Sequence, residues 1–159
     1  MLTILILCTG NSCRSILGEA LINKLGHGRV MAYSAGSFPV GTVNPGALAT
    51  LQRHGISTEG FASKSWNEFA DKKIDIAITV CDNAAGDTCP VYLNRCIRAH
   101  WGLPDPAHVT GTETEIEAAF ESTYAALERR IHRMLELPLE TLSEQELTDR
   151  LNEIGKMDA

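Results

Sequence analysis

The alternation of apolar and polar stretches along the chain predicts strands and helices in turn. The segment at 3–7 is apolar on both faces, which is typical of a strand buried inside a parallel sheet. A helix is predicted next, at 15–25, because Gly26 and Gly28 follow it and glycine commonly ends helices. The other predicted strands are at 30–34, 74–80 and 98–101, and the other predicted helices are at 45–54, 65–69, 113–135 and from 143 onward.

This order of elements predicts an α/β fold. Strands that alternate with helices usually form a parallel sheet with right-handed crossovers. We expect three layers, in which a four-stranded parallel sheet lies between helices on both faces. In the long helix at 113–135 the acidic residues come early and Arg129, Arg130 and Arg133 come late, as the helix dipole favours.

The chain is expected to contain one main domain, residues 1–136, and a C-terminal helical extension, residues 137–159. Ser143 and Glu146 form a capping box that predicts the start of the last helix. One face of that helix is apolar: Leu147, Leu151 and Ile154. We therefore expect the extension to pack either on its own domain or on a partner.

Charge and hydropathy narrow the classes of partner. Of the net charge of -6, the stretch at 136–159 carries -5, from seven acidic and two basic residues. No basic stripe is present to neutralise phosphates, which argues against a nucleic-acid partner. No apolar run approaches the roughly 20 residues needed to cross a bilayer, and no secretion signal is recognisable. We expect a cytoplasmic protein that does not bind membranes.

The five cysteines indicate chemistry more than a disulfide framework, because their number is odd and no secretion signal accompanies them. Cys8 follows the first predicted strand, and Cys81 follows the strand at 74–80. The loops at the carboxyl ends of parallel strands form the ligand crevice of such sheets. We therefore expect Cys8 and Cys81 to lie close together. Zinc binding is disfavoured, since no Cys-x2-Cys pair is present.

The residues after Cys8 are small or favour turns: Thr9, Gly10, Asn11, Ser12 and Cys13. Since Gly10 and Asn11 tolerate positive φ, the loop can point successive backbone N–H groups inward as a nest for an anion. Arg14 adds a planar fork for two oxygens, and the helix that begins near Ser15 adds partial positive charge. The same field favours the thiolate of Cys8, to which the Ser15 hydroxyl is placed to donate. Residues 9–14 are thus predicted to form an oxyanion cradle; an unreactive cysteine in a tight turn is the structural alternative.

Several stretches together resemble a known family. They are "CTGNSCRS" at 8–15, "SAGS" at 34–37, "VNPGAL" at 43–48, "SKSW" at 63–66, "TVCDNAAGDTCPV" at 79–91 and "HWGLPDPA" at 100–107. In combination they are similar to the arsenate reductases of the low-molecular-weight protein tyrosine phosphatase superfamily. The resemblance spans most of residues 1–107 and implies the phosphatase-like α/β fold and a role in arsenic detoxification.

The resemblance also implies roles for individual residues. Cys8 would attack the arsenic of arsenate held by the cradle and Arg14, and Asp105 would protonate the departing oxygen as general acid. A reductase needs a second thiol, and Cys81 fits that role by attacking the sulfur of Cys8. Cys89 would then take the disulfide from Cys81, where an outside reductant can reach it.

Two other functions stay open at this point. One is a phosphomonoesterase or tyrosine phosphatase of the same superfamily, and the other is a redox-sensing protein that binds an oxyanion. Phosphatases of the superfamily typically carry tyrosine after the Asp-Pro pair, whereas Ala107 follows Asp105-Pro106 here, which favours arsenate. We expect no tightly bound cofactor but an external reductant: thioredoxin, glutaredoxin or a low-molecular-weight thiol such as glutathione. The spacing of eight positions between Cys81 and Cys89, one more than in relatives coupled to thioredoxin, leaves that choice open.

Four more residues are expected to play supporting parts. Asn11 is predicted to fix the loop by bonding to Ser34 or to neighbouring backbone. Glu19 is predicted to join that network, to lie at a monovalent cation site near Asn11, as the resemblance to some relatives implies, or to face solvent. Cys13 is predicted to pack against the sheet and Cys96 to fill space.

Overall fold

A computed structural model describes residues 1–81 and 90–157. The described residues form a four-stranded parallel sheet in the order β2-β1-β3-β4. The strands are β1 (Leu2–Cys8), β2 (Val30–Gly36), β3 (Ile76–Thr79) and β4 (Ile97–His100). This arrangement puts β1 inside the sheet, where both of its faces are covered, and explains its apolar sequence. The predicted α/β fold is confirmed, although β3 is shorter than the range 74–80 expected for it.

Four α-helices lie within the described residues. They are α1 (Arg14–Leu25), α2 (Pro45–Arg53), α3 (Glu113–Leu135) and α4 (Glu144–Gly155). Side-chain caps start three of them: the side chain of Asn44 accepts from the Gly46 N–H, and Thr112 and Ser143 form capping boxes at α3 and α4, of which the one at Ser143 was predicted.

The two faces of the sheet are covered differently. Alternate residues of β1 point to opposite faces, so that Ile4 and Ile6 pack in the core formed with the α-helices, and Leu5 and Leu7 pack in a second, smaller core. Within the described residues, the second core is closed by two short 3-10 helices, Trp66–Phe69 and Val91–Arg95. The second of these was not predicted from the sequence.

The C-terminal helix packs on the edge of the sheet beside β4. The indole N–H of Trp101 donates to the Leu151 carbonyl (2.8 Å), and the Asn152 side chain accepts from the His100 N–H (3.0 Å). Leu147, Leu151 and Ile154 are buried in the larger core. Among the described residues, no helix is both long and apolar enough to span a membrane.

The carboxyl ends of the strands coincide. Leu7 pairs with Thr79 and Thr79 with His100, while Cys8 pairs with Gly36. The segments that follow β1, β3 and β4 therefore leave the sheet at the same edge. Cys8, the last residue of β1, and Cys81 and Asp105, in the segments after β3 and β4, define the candidate site.

Candidate active site

The Cys8 thiol lies at the end of β1 and is surrounded by hydrogen-bond donors. The backbone N–H of Asn11 donates to Cys8 Sγ (3.2 Å), and the Ser15 Oγ lies 3.0 Å from the same sulfur. Cys8 is buried, with 3% of its surface exposed. Donors directed at a sulfur stabilise its thiolate form, which is the nucleophilic one.

A chain of hydrogen bonds fixes the direction of the Ser15 hydroxyl. The backbone N–H of Lys64 donates to Asn11 Oδ1 (2.7 Å), which places the amide nitrogen of Asn11 toward Ser15, where it donates to Oγ (2.8 Å). Because Ser15 Oγ accepts from Asn11, its own hydrogen is available for Cys8. Such chains strengthen each member, so the Asn11 side chain supports the thiolate from one step away.

Asn11 also shapes the loop through its backbone, which has a φ of 48°. Asparagine is one of the few residues other than glycine that commonly adopt this left-handed conformation. Asn11 was expected to bond to Ser34 or to nearby backbone. The backbone alternative agrees with the structure, since the Asn11 side chain accepts from the Lys64 N–H, whereas the Ser34 hydroxyl donates to Glu19.

The carbonyls of the cradle point away from the site. Those of Cys8, Thr9, Gly10 and Ser12 accept backbone N–H groups of the segment at 37–44, over distances of 2.8–3.3 Å. The opposite edge of the loop, which carries the N–H groups, consequently faces inward as a nest. Gly36 permits this packing, because a Cβ at that position would lie 2.4 Å from the Thr9 carbonyl oxygen.

Not every N–H of residues 9–14 is available to an oxyanion. Two of them already bind sulfur, since Thr9 N–H donates to Cys81 Sγ (3.2 Å) and Asn11 N–H donates to Cys8. In the described part of the chain, the N–H groups of Gly10, Ser12 and Cys13 donate to no protein acceptor. The first N–H groups of α1, beginning at Arg14, have no acceptor within the helix either. Of the backbone groups predicted to bind an oxyanion, those of Gly10, Ser12, Cys13 and the start of α1 therefore have no protein acceptor among the described residues, whereas those of Thr9 and Asn11 contact sulfur.

Arg14 links the cradle to the loop after β4. Its Nη1 donates to the Leu103 carbonyl (2.8 Å), and its Nη2 lies 3.4 Å from Asp105 Oδ2. Asp105 caps the short 3-10 helix Pro106–His108, where its Oδ1 accepts from the Ala107 N–H (2.9 Å), and His108 Nε2 lies 3.5 Å from Oδ2. The carboxyl group therefore stands beside the guanidinium that would hold the oxyanion, in a position suited to proton transfer.

Cys81 lies directly beside the Cys8 loop. Its Sγ accepts from the Thr9 backbone N–H and lies 3.4 Å from Thr9 Oγ1. This N–H belongs to the peptide group that joins Cys8 to Thr9, so the sulfur of Cys81 lies next to the backbone of Cys8. The sequence-based expectation that Cys8 and Cys81 share one edge of the sheet agrees with this placement. Cys89 lies outside the described residues.

Cys13 and Cys96 have surroundings unlike those of Cys8. Burial, together with the charges of Asp105 and Cys8, raises the pKa of the Cys13 thiol far above its usual range, whereas Arg14 acts in the opposite direction. Cys96 lies at the other end of the sheet, where its thiol donates to the Ile74 carbonyl (3.2 Å). Within residues 1–81 and 90–157, no group of three or more histidine, cysteine or acidic side chains is arranged to hold a metal ion.

Glu19 is half-buried beside Ser34. It accepts from the Ser34 hydroxyl, and burial raises the pKa of its carboxyl, while Ser34 and the nearby Lys64 charge lower it. A monovalent cation near Asn11 fits these residues poorly, because the Asn11 amide oxygen already accepts from the Lys64 N–H and Lys64 brings a positive charge to Glu19.

Sequence reasoning missed the part played by residues 63–64. The Ser63 hydroxyl donates to the Gly10 carbonyl (2.9 Å), and the Lys64 backbone begins the hydrogen-bond chain through Asn11. The only signal was the stretch "SKSW", to which no role could be assigned, because both contacts join segments that lie 53 positions apart in the chain.

Comparison with known proteins gives consistent results. The family model of the low molecular weight phosphotyrosine protein phosphatases matches residues 3–148. The arsenate reductase of Bacillus licheniformis is 38% identical over 138 residues, covering 84% of this chain and 95% of the relative. That of Halalkalibacterium halodurans is 36% identical over 130 residues, covering 82% and 92%.

Solved structures agree with this assignment. An arsenate reductase in the phosphate binding state superposes with a TM-score of 0.65 at 27% identity, covering 83% of this chain and 98% of that one. The Escherichia coli K30 tyrosine phosphatase Wzb, in complex with sulphate, has the same fold, with a TM-score of 0.69 at 23% identity over 84% of this chain and 96% of that one. With the cradle and its two thiols in place, the chain belongs to the low molecular weight phosphotyrosine protein phosphatase family, and the relatives that it matches over most of its length include arsenate reductases.

Proposed function

We propose that this protein reduces arsenate to arsenite with its own thiols. The observation that carries the proposal is the sulfur of Cys81, which lies 3.2 Å from the backbone N–H of Thr9, next to the nucleophile Cys8. A phosphatase needs no second thiol for turnover, because water completes its reaction, and Cys81 would then be structural or a guard against oxidation. A reductase must supply two electrons, and two adjacent thiols are their source.

The oxyanion is bound first, at the inward N–H groups of Gly10, Ser12 and Cys13 and the start of α1. Arg14 provides the planar, permanently charged fork that suits two oxygens of a tetrahedral anion. Relatives support this step, since one solved arsenate reductase is in a phosphate binding state and Wzb holds sulphate.

Attack by Cys8 on arsenic(V) then forms a sulfur–arsenic bond and breaks an arsenic–oxygen bond. The oxygen leaves as water, because Asp105 gives it a proton. The carboxyl of Asp105 lies beside Arg14, so the acid and the bound anion share one location. Arsenic is still pentavalent at this stage, and no arsenite has been released.

Reduction follows when the Cys81 thiolate attacks the sulfur of Cys8. A sulfur–sulfur bond forms, the sulfur–arsenic bond breaks, and its electron pair goes to arsenic, which leaves as arsenite. Two thiolates have lost two electrons, and arsenic has changed from the pentavalent to the trivalent state. Cys89 would next attack Cys81, so that Cys8 leaves as thiolate and the disulfide joins Cys81 and Cys89. An external dithiol or monothiol closes the cycle.

A single-turnover experiment tests the scheme. Fully reduced protein is mixed with arsenate under anaerobic conditions without added reductant, and arsenite and remaining thiols are counted. We expect one arsenite per chain and the loss of two thiols. Cys81→Ser should release no arsenite yet retain hydrolysis of p-nitrophenyl phosphate, since the Cys8 loop is intact.

Cys96→Ser is the matched control, because it removes a thiol from the opposite end of the sheet. It should keep the stoichiometry of one arsenite for two thiols. Undiminished arsenite release by Cys81→Ser would contradict the proposal. Rapid hydrolysis of aryl phosphates by the wild-type protein, with no arsenite, would instead favour a phosphatase.

A further inference from the structure

The loop that carries Asp105 is held on the side of the catalytic thiols by the sheet and by Arg14. This loop, residues 101–105, is here called the acid loop. The backbone N–H groups of Trp101 and Leu103 donate to Thr79 (2.7 Å) and Val80 (3.1 Å), and the Leu103 carbonyl accepts from Arg14. None of these bonds involves the carbonyls of Trp101 and Gly102.

Those two carbonyls are bound by a buried arginine of α3. Arg130 Nη1 donates to the Trp101 carbonyl (3.0 Å) and lies 3.4 Å from the Gly102 carbonyl, while Nη2 donates to the Met157 carbonyl (3.0 Å). Only 4% of the residue is exposed. Among the described residues, its Nε has no hydrogen-bond partner, and no carboxylate forms an ion pair with its guanidinium.

A buried guanidinium bound only by main-chain carbonyls is costly, because desolvation of the charge is not repaid by an opposite charge. Burial accordingly lowers the pKa of Arg130. An apolar side chain would fill the same space at less cost to folding. A residue that is costly for stability and that contacts the loop of the general acid suggests a task in catalysis.

The C-terminal helix completes this anchor. Its Leu151 carbonyl and Asn152 side chain bind Trp101 and His100. Gly155 packs so tightly that a Cβ there would lie 2.1 Å from the His100 carbonyl oxygen. Residues 151–157 lie beyond the part of the chain that the family model matches, residues 3–148. The anchor therefore joins the acid loop to the extension of this chain.

We propose that Arg130 is a positioning residue for Asp105, which fixes the backbone of the acid loop by tying it to the end of the C-terminal helix. The inference rests on the proposed function, in which Asp105 protonates the departing oxygen. Arg130 touches neither the oxyanion nor the reacting sulfur, so its effect passes through Asp105 alone. Loss of Arg130 should therefore matter only when the acid is present.

A double-mutant cycle tests this dependence. Arg130→Met should lower kcat for arsenate about tenfold, since small displacements of a catalytic group are expensive, while KM changes by less than about twofold. Asp105→Asn should lower kcat by about 100-fold. In the Asp105→Asn background, Arg130→Met should cost less than about twofold, because the group that it positions is already lost.

Arg129→Met is the matched control, since Arg129 is the exposed neighbour of Arg130 on α3. It should leave kcat within about twofold of wild type. If Arg130→Met does not fold, Arg130→Lys keeps the charge without the fork and should show a smaller loss that again disappears in the Asp105→Asn background. Losses that multiply in the double variant, or wild-type kcat in Arg130→Met, would overturn the proposal.

Failure of the positioning role of Arg130 and failure of the proposed function give different experimental results. If the wild-type protein releases no arsenite, the proposed function has failed, and the cycle is measured with p-nitrophenyl phosphate, whose leaving oxygen also needs an acid. Disappearance of the Arg130→Met effect in the Asp105→Asn background would still support the positioning role, and independent losses would contradict it.

Discussion

Cys8 and Cys96 lie at opposite ends of the same sheet, and their surroundings favour opposite forms of the thiol. At the carboxyl end, Cys8 Sγ is contacted by the Asn11 N–H and the Ser15 hydroxyl, which stabilise a thiolate. At the amino end, Cys96 donates to the Ile74 carbonyl, which stabilises the protonated thiol. The same residue type is thus directed to nucleophilic chemistry at one end and to packing at the other.

The two ends of the sheet also differ in the size of their cavities and in the chemistry of their side chains. A cavity of about 540 Å³ opens at the amino end, with Cys96, Arg95 and Asp75 among its lining residues. The groups suited to catalysis gather instead at the carboxyl end, where parallel strands direct their following loops into one crevice. Convergent donors, rather than empty volume, mark the site in this fold.

Replacing each of the two thiols in turn should have the most unequal effects on activity. Cys8→Ser should lower both arsenite release and p-nitrophenyl phosphate hydrolysis by at least about 1000-fold, because an alkoxide is not formed under conditions that ionise a thiol. Cys96→Ser should leave both rates within about twofold of wild type. Measurable arsenite release by Cys8→Ser would show that another thiol attacks arsenic.

Arg14→Lys should have the second largest effect. Lysine keeps the positive charge but loses the fork that contacts both the Leu103 carbonyl and Asp105. We expect kcat/KM for arsenate to fall about 100-fold. Steady-state kinetics with arsenate as the varied substrate check this; Arg129→Lys, on the exposed face of α3, serves as control. A loss of less than about threefold would mean that the fork is not needed.

Asn11→Asp tests the hydrogen-bond chain from Lys64 to Ser15, because it removes the donor to Ser15 without changing side-chain size. An aspartate can accept from Lys64 but cannot donate to Ser15, so the Ser15 hydroxyl turns to the carboxylate and away from Cys8. We expect alkylation of Cys8 by iodoacetamide at pH 7 to slow about tenfold, as followed by mass spectrometry. Asn11→Gly tolerates the φ of 48° equally well and controls for backbone strain. Unchanged alkylation in both variants would rule out the chain as a source of thiolate character.

These residues also show how far the sequence alone carries. The strand before Cys8, the turn residues after it and the position of Arg14 are local features that predicted the cradle, and the alternation of strands and helices predicted the four-stranded sheet. The 3-10 helix Val91–Arg95 and the identity of Lys64 as the backbone partner of Asn11 were not predicted, because they depend on segments distant in the chain. Arg130 looked like one of three arginines suited to a helix end, and only the fold shows that it is buried against the acid loop.

The smallest expected effect concerns the alkylation of Cys96 as a function of pH. Burial raises the pKa of this thiol, with the charge of Asp75 acting in the same direction and Arg95 and Arg98 opposing it. Only the thiolate reacts, so a raised pKa means that its alkylation rate keeps increasing at pH values above about 10, where an ordinary thiol with a pKa of about 8.5 has nearly reached its plateau. Peptide mapping after timed alkylation at a series of pH values measures this directly.

Ile74 offers only its carbonyl, so Ile74→Val should leave the profile unchanged, whereas Asp75→Asn should shift it slightly toward lower pH because one of the charges that disfavour the thiolate is gone. A plateau for Cys96 near neutral pH would mean that the amino end of the sheet also stabilises a thiolate, and the contrast with Cys8 would be lost.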